Sequence, residues 1–318
     1  PRLLDTHLSL PLIKELSELG DPVAQKRLHQ AILECYAYGD KKSRMALLEY
    51  GFLDNLTRAE ELSFIEDSND FEAFLELEEA LGEEIHLEFK CSKFKFNFKD
   101  GKITELHLPI WKSKFRKIPE CIGNFSNLET LILNVKGLPI HAIPDSIANL
   151  SRLKELSLNE FPLESFPNFI GKLKNLEGIL IRLCQLKDLP DSICNLKRLK
   201  DLEIKECPNL ETLPESIGNL PNLETFKVEK CCLKHLPESI GNLKKLRFLD
   251  LNNNKLEALP ESFGELESLR ELILSENNIK FLSDSFGDLK SVTRIILRNN
   301  SLTKLPNSFK SLDSLRNL

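Results

Sequence analysis

The chain has 318 residues, of which 41% are hydrophobic and 29% are charged, with a formal net charge of −6 at pH 7. A chain of this length and composition can bury a large core. No apolar run reaches the length of a membrane span, so the sequence predicts no membrane partner. Because the chain begins at Pro1 rather than Met, the lack of a signal-like segment says little about export.

Charge is distributed unevenly along the chain. The first 82 residues carry 8 of the 43 basic and 17 of the 49 acidic residues, a net of −9, which leaves +3 for the rest. No basic residue lies between Arg58 and Lys90, which argues against nucleic acid as a partner. We expect a solvated helix face here, with a docking surface for a basic partner as the alternative. The acidic residues are Glu60, Glu61, Glu66, Asp67, Asp70, Glu72, Glu76, Glu78, Glu79, Glu83 and Glu84.

Residues 1–82 are predicted to be helical. Asp21-Pro22 is an N-cap followed by proline at the first helical position, and Gly39 ends that helix. A second helical segment follows over residues 40–51. The apolar stripe of the first helix consists of Val23, Leu28, Ile32 and Tyr36.

A third helix is predicted between a capping box and a glycine. Thr57 and Glu60 have the capping-box spacing, and Gly82 ends the helix. Its apolar residues are Phe71, Phe74, Leu75, Leu77 and Leu81.

After Gly82 the apolar period changes to two, through Ile85, Leu87, Phe89, Phe94, Phe96 and Phe98. Asp100-Gly101 between alternating residues predicts a hairpin turn. We assign residues 83–102 to a β-hairpin that links the helical region to the sheet. Its second strand is then the first strand of the repeats, and the hairpin covers a sheet edge that would otherwise invite aggregation.

The rest of the chain repeats one unit, most clearly in residues 243–266. It reads L-x-x-L-x-L-x-x-N-x-L-x-x-L-P-x-S-F-G-x-L, and successive copies are offset by 25, 25, 23, 23, 24, 23, 23, 23 and 23 residues. The aligned strand positions are Leu106, Leu131, Leu156, Ile179, Leu202, Phe226, Leu249, Leu272, Ile295 and Leu318.

A second mark recurs in each unit, as IPDSIANL from Ile143, LPESIGNL from Leu213 and Leu236, and LPESFGEL from Leu259. Residues 103–318 therefore resemble the leucine-rich repeat family, and the LPxSIGNL unit is similar to that of its intracellular members. The resemblance implies an α/β repeat solenoid, or horseshoe, of about nine units. The parallel sheet would form the concave face and short helices or turns the convex face, with residues 1–82 as an N-terminal cap.

The physical chemistry of one unit agrees with this interpretation. A single unit cannot bury its leucines alone, whereas stacked units bury them against the same positions next door. The position of Asn254 requires a side chain that satisfies buried backbone groups as the chain turns. Asn277 and Asn300 occupy it in later units. Earlier units have Cys184, Cys207 and Cys231 there, which we interpret as small buried groups.

The remaining cysteines show no CxxC pair and no histidine at ligand spacing, so we expect no metal. Scattered thiols indicate a reducing compartment. Cys231 and Cys232 are neighbours; we expect one in the ladder and one at the surface, with a vicinal disulfide as the alternative.

The sequence ends at Leu318, at a strand position with no capping unit after it. We expect the natural protein to continue, or the open edge to serve as a contact, including a homodimer contact.

We find none of the motifs of phosphate loops, dinucleotide sites, zinc proteases or serine hydrolases. His107 is interpreted as a solvated histidine rather than a catalytic one. We therefore predict no enzyme activity and no cofactor.

The function left to consider is binding of a partner. We expect the partner to contact the side chains that alternate with the leucines of each strand. Phe248, Ile273 and Ile296 are apolar where a solvated face would be polar, and Arg294 and Arg298 flank them. The alternative is that these residues simply favour strands. A mixed-charge group around Lys205 and Lys227 is either part of the site or paired within the sheet. The predicted partner-binding residues are Leu180, Arg182, Lys205, Lys227, Phe248, Asp250, Ile273, Arg294, Ile296 and Arg298.

A third candidate surface is the lysine-rich loop that contains Trp111, the only tryptophan, at residues 110–117. The alternative is that Trp111 fills the junction between cap and repeats.

The sequence thus predicts a non-enzymatic, cytoplasmic scaffold that binds a protein or peptide on the concave face. Two alternatives stay open at this point. In the first, the chain is the sensor or substrate-recognition region of a larger signalling enzyme, such as a GTPase, kinase or ubiquitin ligase. In the second, it is an extracellular adhesin.

Overall fold

The computed structural model of the chain describes residues 15, 19–38, 58–63, 65–82, 84–85, 95–110 and 117–317. The chain divides into two compact units. The first, here the N-terminal unit, comprises residues 1–108 and 124–128. The second, the solenoid unit, comprises residues 109–123 and 129–318.

The described helices of the N-terminal unit are α1 (Pro22–Tyr38), α2 (Arg58–Leu62) and α3 (Ser68–Leu81). The predicted cap of α1 is confirmed, because Asp21 Oδ1 accepts hydrogen bonds from the backbone N–H of Val23 at 2.8 Å and of Ala24 at 3.3 Å. In the predicted stripe, Leu28 and Ile32 are buried, but Val23 is 62% exposed. Ala24 takes its place, because positions 24, 28 and 32 are each one helical turn apart.

Helix α3 has a cap that the sequence analysis missed. Asp67 Oδ1 accepts from the N–H groups of Asn69 and Asp70, at 3.1 and 3.2 Å. The predicted end is confirmed: Gly82 is left-handed, with φ of 64°, and its N–H donates to Glu78 O at 2.8 Å. Phe74, Leu77 and Leu81 are buried as predicted, whereas Phe71 is half-buried and Leu75 is exposed. Gly39, residues 40–51 and Thr57 lie outside the described residues.

The prediction of a solvated acidic face is wrong for Asp70, whose side chain is fully buried. Its Oδ2 accepts from the Ile103 N–H at 2.8 Å and from Asn127 Nδ2 at 3.4 Å. Burial raises the pKa of Asp70 to about 6. Glu78 forms an ion pair with Arg58 and accepts from the Ile85 N–H. Other members of the run are solvated, namely Glu66, Glu72, Glu76, Glu79 and Glu84.

The predicted hairpin is present, with its arms at different bounds. Strands β1 (Lys95–Lys99) and β2 (Lys102–Pro109) are antiparallel, and Asp100 and Gly101 turn between them with φ of 51° and 67°. Phe96, Phe98, Ile103 and Leu106 are buried. Leu87, Phe89 and Phe94 lie outside the described residues.

The solenoid unit is a sheet of parallel strands in chain order, each following the last at the repeat period. The fold prediction, an α/β repeat solenoid, is confirmed. The strands are β3 (Thr130–Asn134), β4 (Glu155–Asn159), β5 (Gly178–Arg182), β6 (Asp201–Lys205), β7 (Thr225–Glu229), β8 (Phe248–Asp250), β9 (Glu271–Ile273) and β10 (Arg294–Ile296).

The register joins equivalent positions of adjacent units, for example Leu202 with Phe226 and Leu249 with Leu272. These side chains are fully buried, as each unit covers the apolar positions of the next. The last predicted strand position, Leu318, lies outside the described residues.

Short 3-10 turns recur at the same period after the Leu-Pro steps. Their N-caps are mostly prolines in extended conformation, such as Pro144 with φ of −65° and ψ of 140°. Most of these turns contain a glycine, which permits close stacking, because a Cβ at Gly218 would overlap the carbonyl oxygen of Ser239. The turns are Glu120–Asn124, Asp145–Asn149, Asn168–Lys172, Asp191–Asn195, Ile217–Asn219, Glu238–Asn242, Glu261–Glu265, Asp284–Asp288 and Asn307–Ser311.

The turn after each strand is the most demanding part of the unit. After each of the strands β4–β10 one residue is left-handed although it is not glycine, and from β5 onward the next residue is the asparagine or cysteine predicted to satisfy backbone groups. That prediction is confirmed, since Asn254 Nδ2 donates to Val228 O at 2.6 Å and to Leu251 O at 3.0 Å. The left-handed residues are Glu160, Leu183, Glu206, Lys230, Asn253, Glu276 and Asn299, with φ between 52° and 57°.

The cysteines of the ladder are buried, as expected, and are free thiols. Cys231 and Cys232 do not form a vicinal disulfide; Cys231 is buried and Cys232 is half-buried. The first interpretation of this pair therefore holds for Cys231, whereas Cys232 is half-buried rather than at the surface.

Candidate functional site

The ten predicted partner-binding residues lie on or next to the strands β5–β10, on the side chains that alternate with the buried positions. We call this solvent-facing side of β3–β10 the sheet face; it corresponds to the concave face of the sequence analysis. The cross-strand register divides eight of the ten residues into three groups, and the other two, Phe248 and Asp250, lie on β8 between the second and third groups.

The upstream group consists of Leu180 and Arg182 on β5. Leu180 is half-buried and stands in register between Ser157 and Glu203. Arg182 is exposed and its Nη2 lies 3.3 Å from Glu206 Oε1. Leu180 is thus an isolated apolar residue among polar neighbours.

The central group is a closed network of charges on β6 and β7. Lys205 Nζ lies 3.0 Å from Glu203 Oε2 and 3.2 Å from Glu229 Oε1, while Lys227 Nζ lies 2.9 Å from Glu203 Oε1. Burial opposes the charge on Glu203, but hydrogen bonds from Lys227 and Lys205 outweigh it and lower the pKa of Glu203. Pairing within the sheet, one of the two interpretations above, is therefore what these side chains do.

Phe248 and Asp250 on β8 border that network. Lys227 Nζ lies 5.3 Å from the centre of the Phe248 ring, within cation–π distance. Asp250 is buried, contrary to the expectation of a solvent-facing carboxylate, because its Oδ1 turns back to accept from the Asn252 N–H at 2.9 Å. Burial raises the pKa of Asp250.

The downstream group consists of Ile273, Arg294, Ile296 and Arg298, which we call the Ile–Arg face. Ile273 and Ile296 are half-buried and directly in register on β9 and β10. Arg294 and Arg298 are exposed and flank Ile296 on the same side of its strand. Arg294, Ile296 and Arg298, but not Ile273, also border an open cavity of about 860 Å³.

Sequence analysis missed Glu271 as a member of this surface. Its Oε2 lies 3.5 Å from Arg294 Nη1, and both side chains are close to half exposed. The signal was present, since Glu271 precedes Arg294 by the repeat period of 23 residues and stands directly across from it. Phe248 pairs with Glu271 rather than with Ile273, so it lies diagonally from the Ile–Arg face.

The Ile–Arg face presents aliphatic and charged side chains that a partner could contact. Within the ranges that the structure describes, no group of three or more His, Cys, Asp or Glu side chains could hold a metal ion. Among those same residues, no helix has the length and apolar character needed to cross a membrane. The Trp111 loop cannot be placed, because residues 111–116 lie outside the described ranges.

Comparison with known proteins points to one family. A family model described as "Leucine-rich repeat region" matches residues 145–231 and 226–318. No curated protein matches the chain.

Solved structures are similar over the repeats. One is the leucine-rich repeat ectodomain of the plant membrane receptor kinase GASSHO1/SCHENGEN3 from Arabidopsis thaliana, in complex with CASPARIAN STRIP INTEGRITY FACTOR 2. It is 26% identical, with a TM-score of 0.56 over 69% of this chain and 27% of that one. This chain therefore spans about a quarter of that ectodomain. Another is the Drosophila Toll–Spatzle complex, 22% identical with a TM-score of 0.52, covering 67% of this chain and 32% of that one. The second likeness concerns the fold alone.

Proposed function

Since the chain belongs to the leucine-rich repeat family, we propose that it is a non-enzymatic interaction scaffold that binds a protein or peptide partner on its sheet face. The leucines that point into the core of the repeats are buried, so the side chains that alternate with them on the strands form a regular surface that remains open to solvent.

The observation that carries the proposal is the Ile–Arg face. Ile273 and Ile296 are adjacent β-branched residues at positions that hold polar groups on β4, β6 and β7. Aliphatic side chains with arginines at their edge have the composition of binding hot spots between proteins. Burying two half-exposed isoleucines contributes roughly 1–2 kcal/mol to a complex, and contacts with the rim must add the rest.

The central network has a different role in this proposal. Lys205, Lys227, Glu203 and Glu229 already satisfy each other, so a partner would have to break existing pairs to bind them. Such exposed pairs contribute little on their own. We therefore assign binding energy to β8–β10 and treat the network as a rim that guides orientation.

The similarity to the GASSHO1/SCHENGEN3 ectodomain supports a peptide or protein partner in kind, because that ectodomain is in complex with CASPARIAN STRIP INTEGRITY FACTOR 2. This chain covers only 27% of that ectodomain, so the identity of the partner does not transfer.

We also place the protein in a reducing compartment, the cytoplasm, because its described cysteines are free thiols and most are buried. Peptide mapping of the non-reduced protein from its native cells tests this placement. We expect every mapped thiol to be alkylated; a peptide linking Cys231 and Cys232 by a disulfide would contradict it.

The binding proposal is tested by selecting a displayed random-peptide library against the folded chain. The selected peptides are then measured against the Phe248→Glu/Ile273→Glu variant, after circular dichroism has shown unchanged folding. Phe281→Glu is the matched control, because Phe281 is 56% exposed and lies outside the strands.

We expect the selected peptides to lose at least about tenfold in affinity with the sheet-face variant and to keep it with the control. Peptides that bind both variants as well as the parent would show that the sheet face is not the site.

A further inference from the structure

Charged residues immediately before the strands form a regular ladder along most of the solenoid unit. Acidic and basic residues alternate at the repeat period, and each basic residue pairs with the acid one unit earlier. The pairs are Lys154 with Glu129 at 2.7 Å, Lys200 with Glu177 at 2.6 Å, and Arg247 with Glu224 at 3.5 Å.

The alternation stops at the strands that carry the Ile–Arg face. The next positions of the ladder are Arg270, Thr293 and Arg316. None of these three ladder positions after Arg247 is acidic. Their backbones continue the same column, since the Thr293 N–H donates to Arg270 O at 2.8 Å and the Arg316 N–H to Thr293 O at 2.9 Å. In the described part of the chain, neither Arg270 nor Arg316 has an ion-pair partner.

Arginine is also in excess on the sheet face itself. Arg298 makes no ion pair with any residue that the structure describes, and Arg294 has only Glu271 at 3.5 Å, at a half-exposed position. The nearby acid Glu276 accepts instead from Asn253 Nδ2 at 2.8 Å. In a chain with net charge −6, the strand of Ile296 thus carries one unpaired arginine, Arg298, and one, Arg294, that is held only by a half-exposed pair.

Resting on the proposed function, we infer that the partner segment bound at the Ile–Arg face is acidic, with an aliphatic residue between two carboxylates. Guanidinium groups bind carboxylates through paired hydrogen bonds, and Ile273 and Ile296 provide the apolar contact between them. Arg294 and Arg298 lie four residues apart on one side of an extended chain, about 13 Å. An extended partner segment matches that distance when its acids are also four residues apart and the aliphatic residue stands midway.

Peptide composition is the first readout. The library selection is repeated with a charge-reversed Arg294→Glu/Arg298→Glu variant as a second bait. Arg152→Glu is the matched control, since Arg152 is exposed and lies outside the strands. We expect Asp and Glu to be enriched among peptides selected on the parent and on the control, and Lys and Arg among those selected on the charge-reversed variant.

Affinity is the second readout. Acidic peptides selected on the parent are expected to bind the charge-reversed variant at least about tenfold more weakly, and to weaken on the parent as salt rises well above physiological strength. Their affinity for Arg152→Glu should stay within about twofold of that for the parent.

The outcomes separate the two proposals. Peptides that depend on Ile273 but not on either arginine, or that lack acids, would overturn this inference and leave the scaffold proposal standing. Absence of any Ile273-dependent peptide would remove both. A self-association in sedimentation equilibrium that the charge reversal abolishes would assign the Ile–Arg face to a second copy of the chain and overturn the inference as well.

Discussion

The upstream and downstream parts of the solenoid unit close the same turn with different chemistry. Cys184, Cys207 and Cys231 occupy the turn upstream, and asparagines occupy it downstream at Asn254 and Asn277 and then Asn300. The backbone hardly differs, since the residue before each of them is left-handed with φ between 52° and 57°. What differs is how many backbone groups the side chain holds.

Each asparagine connects two units. Asn277 Nδ2 donates to Leu251 O, Leu274 O and Ser275 O at 2.9, 3.1 and 3.2 Å, and Asn277 Oδ1 accepts from the Leu256 N–H at 3.0 Å. Both an acceptor and a donor of the preceding unit are therefore satisfied by one buried amide.

Each cysteine does less, although Cys184 Sγ also reaches Leu158 O of the preceding unit, at 3.9 Å. Cys207 Sγ donates to Lys205 O, two residues away, at 3.5 Å, and Cys231 does the same to Glu229 O at 3.3 Å. A hydrogen bond to Cys207 and then burial raise the pKa of the Cys184 thiol, which keeps it protonated. The fold thus accepts a small apolar group at the turn, while the asparagines add a polar connection between units. The Ile–Arg face lies on the part with that connection.

The largest effect is expected from Asn277→Ala. It removes an amide that serves three carbonyls and one N–H, all partly or fully buried, and should cost about 3 kcal/mol of unfolding free energy. Urea denaturation followed by circular dichroism measures the loss. Asn278→Ala is the control, because Asn278 is exposed and should change stability little. Equal effects of the two variants would show that the buried amide of Asn277 gives the downstream turns no added stability over the upstream ones.

Asn277→Cys tests whether the upstream chemistry works downstream. A thiol keeps the packing and one weak donor, which at Cys184 reaches a carbonyl of the preceding unit only at 3.9 Å, and it offers no amide oxygen to the Leu256 N–H. We expect a loss of about 2 kcal/mol, smaller than for alanine. A loss near zero in the same urea experiment would mean that asparagine and cysteine at this turn contribute equally to the free energy of unfolding.

Cys207→Ala is expected to cost only about 1 kcal/mol. The side chain is fully buried, but its single donor reaches a carbonyl at 3.5 Å. Cys232→Ala serves as the control at a half-buried position outside the ladder. A cost as large as that of Asn277→Ala would show that the stacked thiols stabilise the turn more than their hydrogen bonds indicate.

The smallest effect is a gain. Leu183 is left-handed with φ of 56° and is 39% exposed, whereas the equivalent downstream positions are Asn253 and Asn299. Asparagine tolerates this conformation better than leucine, so Leu183→Asn should raise the unfolding free energy by about 0.5–1 kcal/mol. The rise in melting temperature is compared with that of Gln185→Asn, an exposed substitution outside the left-handed column. A destabilised Leu183→Asn would mean that the leucine makes a packing contribution larger than its strain.

Sequence reasoning worked where one unit repeats its own local demands. Alternating leucines, the Leu-Pro step and the turn asparagine recur at a fixed period, so each position has the same neighbour one unit away. The ladder of Asn254 and Asn277 could be predicted for that reason. In the N-terminal unit no period exists, and Asp70 was misjudged because its partner, the Ile103 N–H, lies 33 residues later in the chain.

The repeat, the buried columns and the column of each candidate binding residue can all be read from the order of the amino acids. Which contacts those candidate side chains make is visible only in the folded chain. Lys205 and Lys227 form ion pairs with Glu229 and Glu203, and Asp250 turns inward to accept from the Asn252 N–H. Arg298 makes no ion pair with a described residue. The reason is physical: periodicity places side chains in a column, whereas charge pairing depends on which long side chains meet across neighbouring strands.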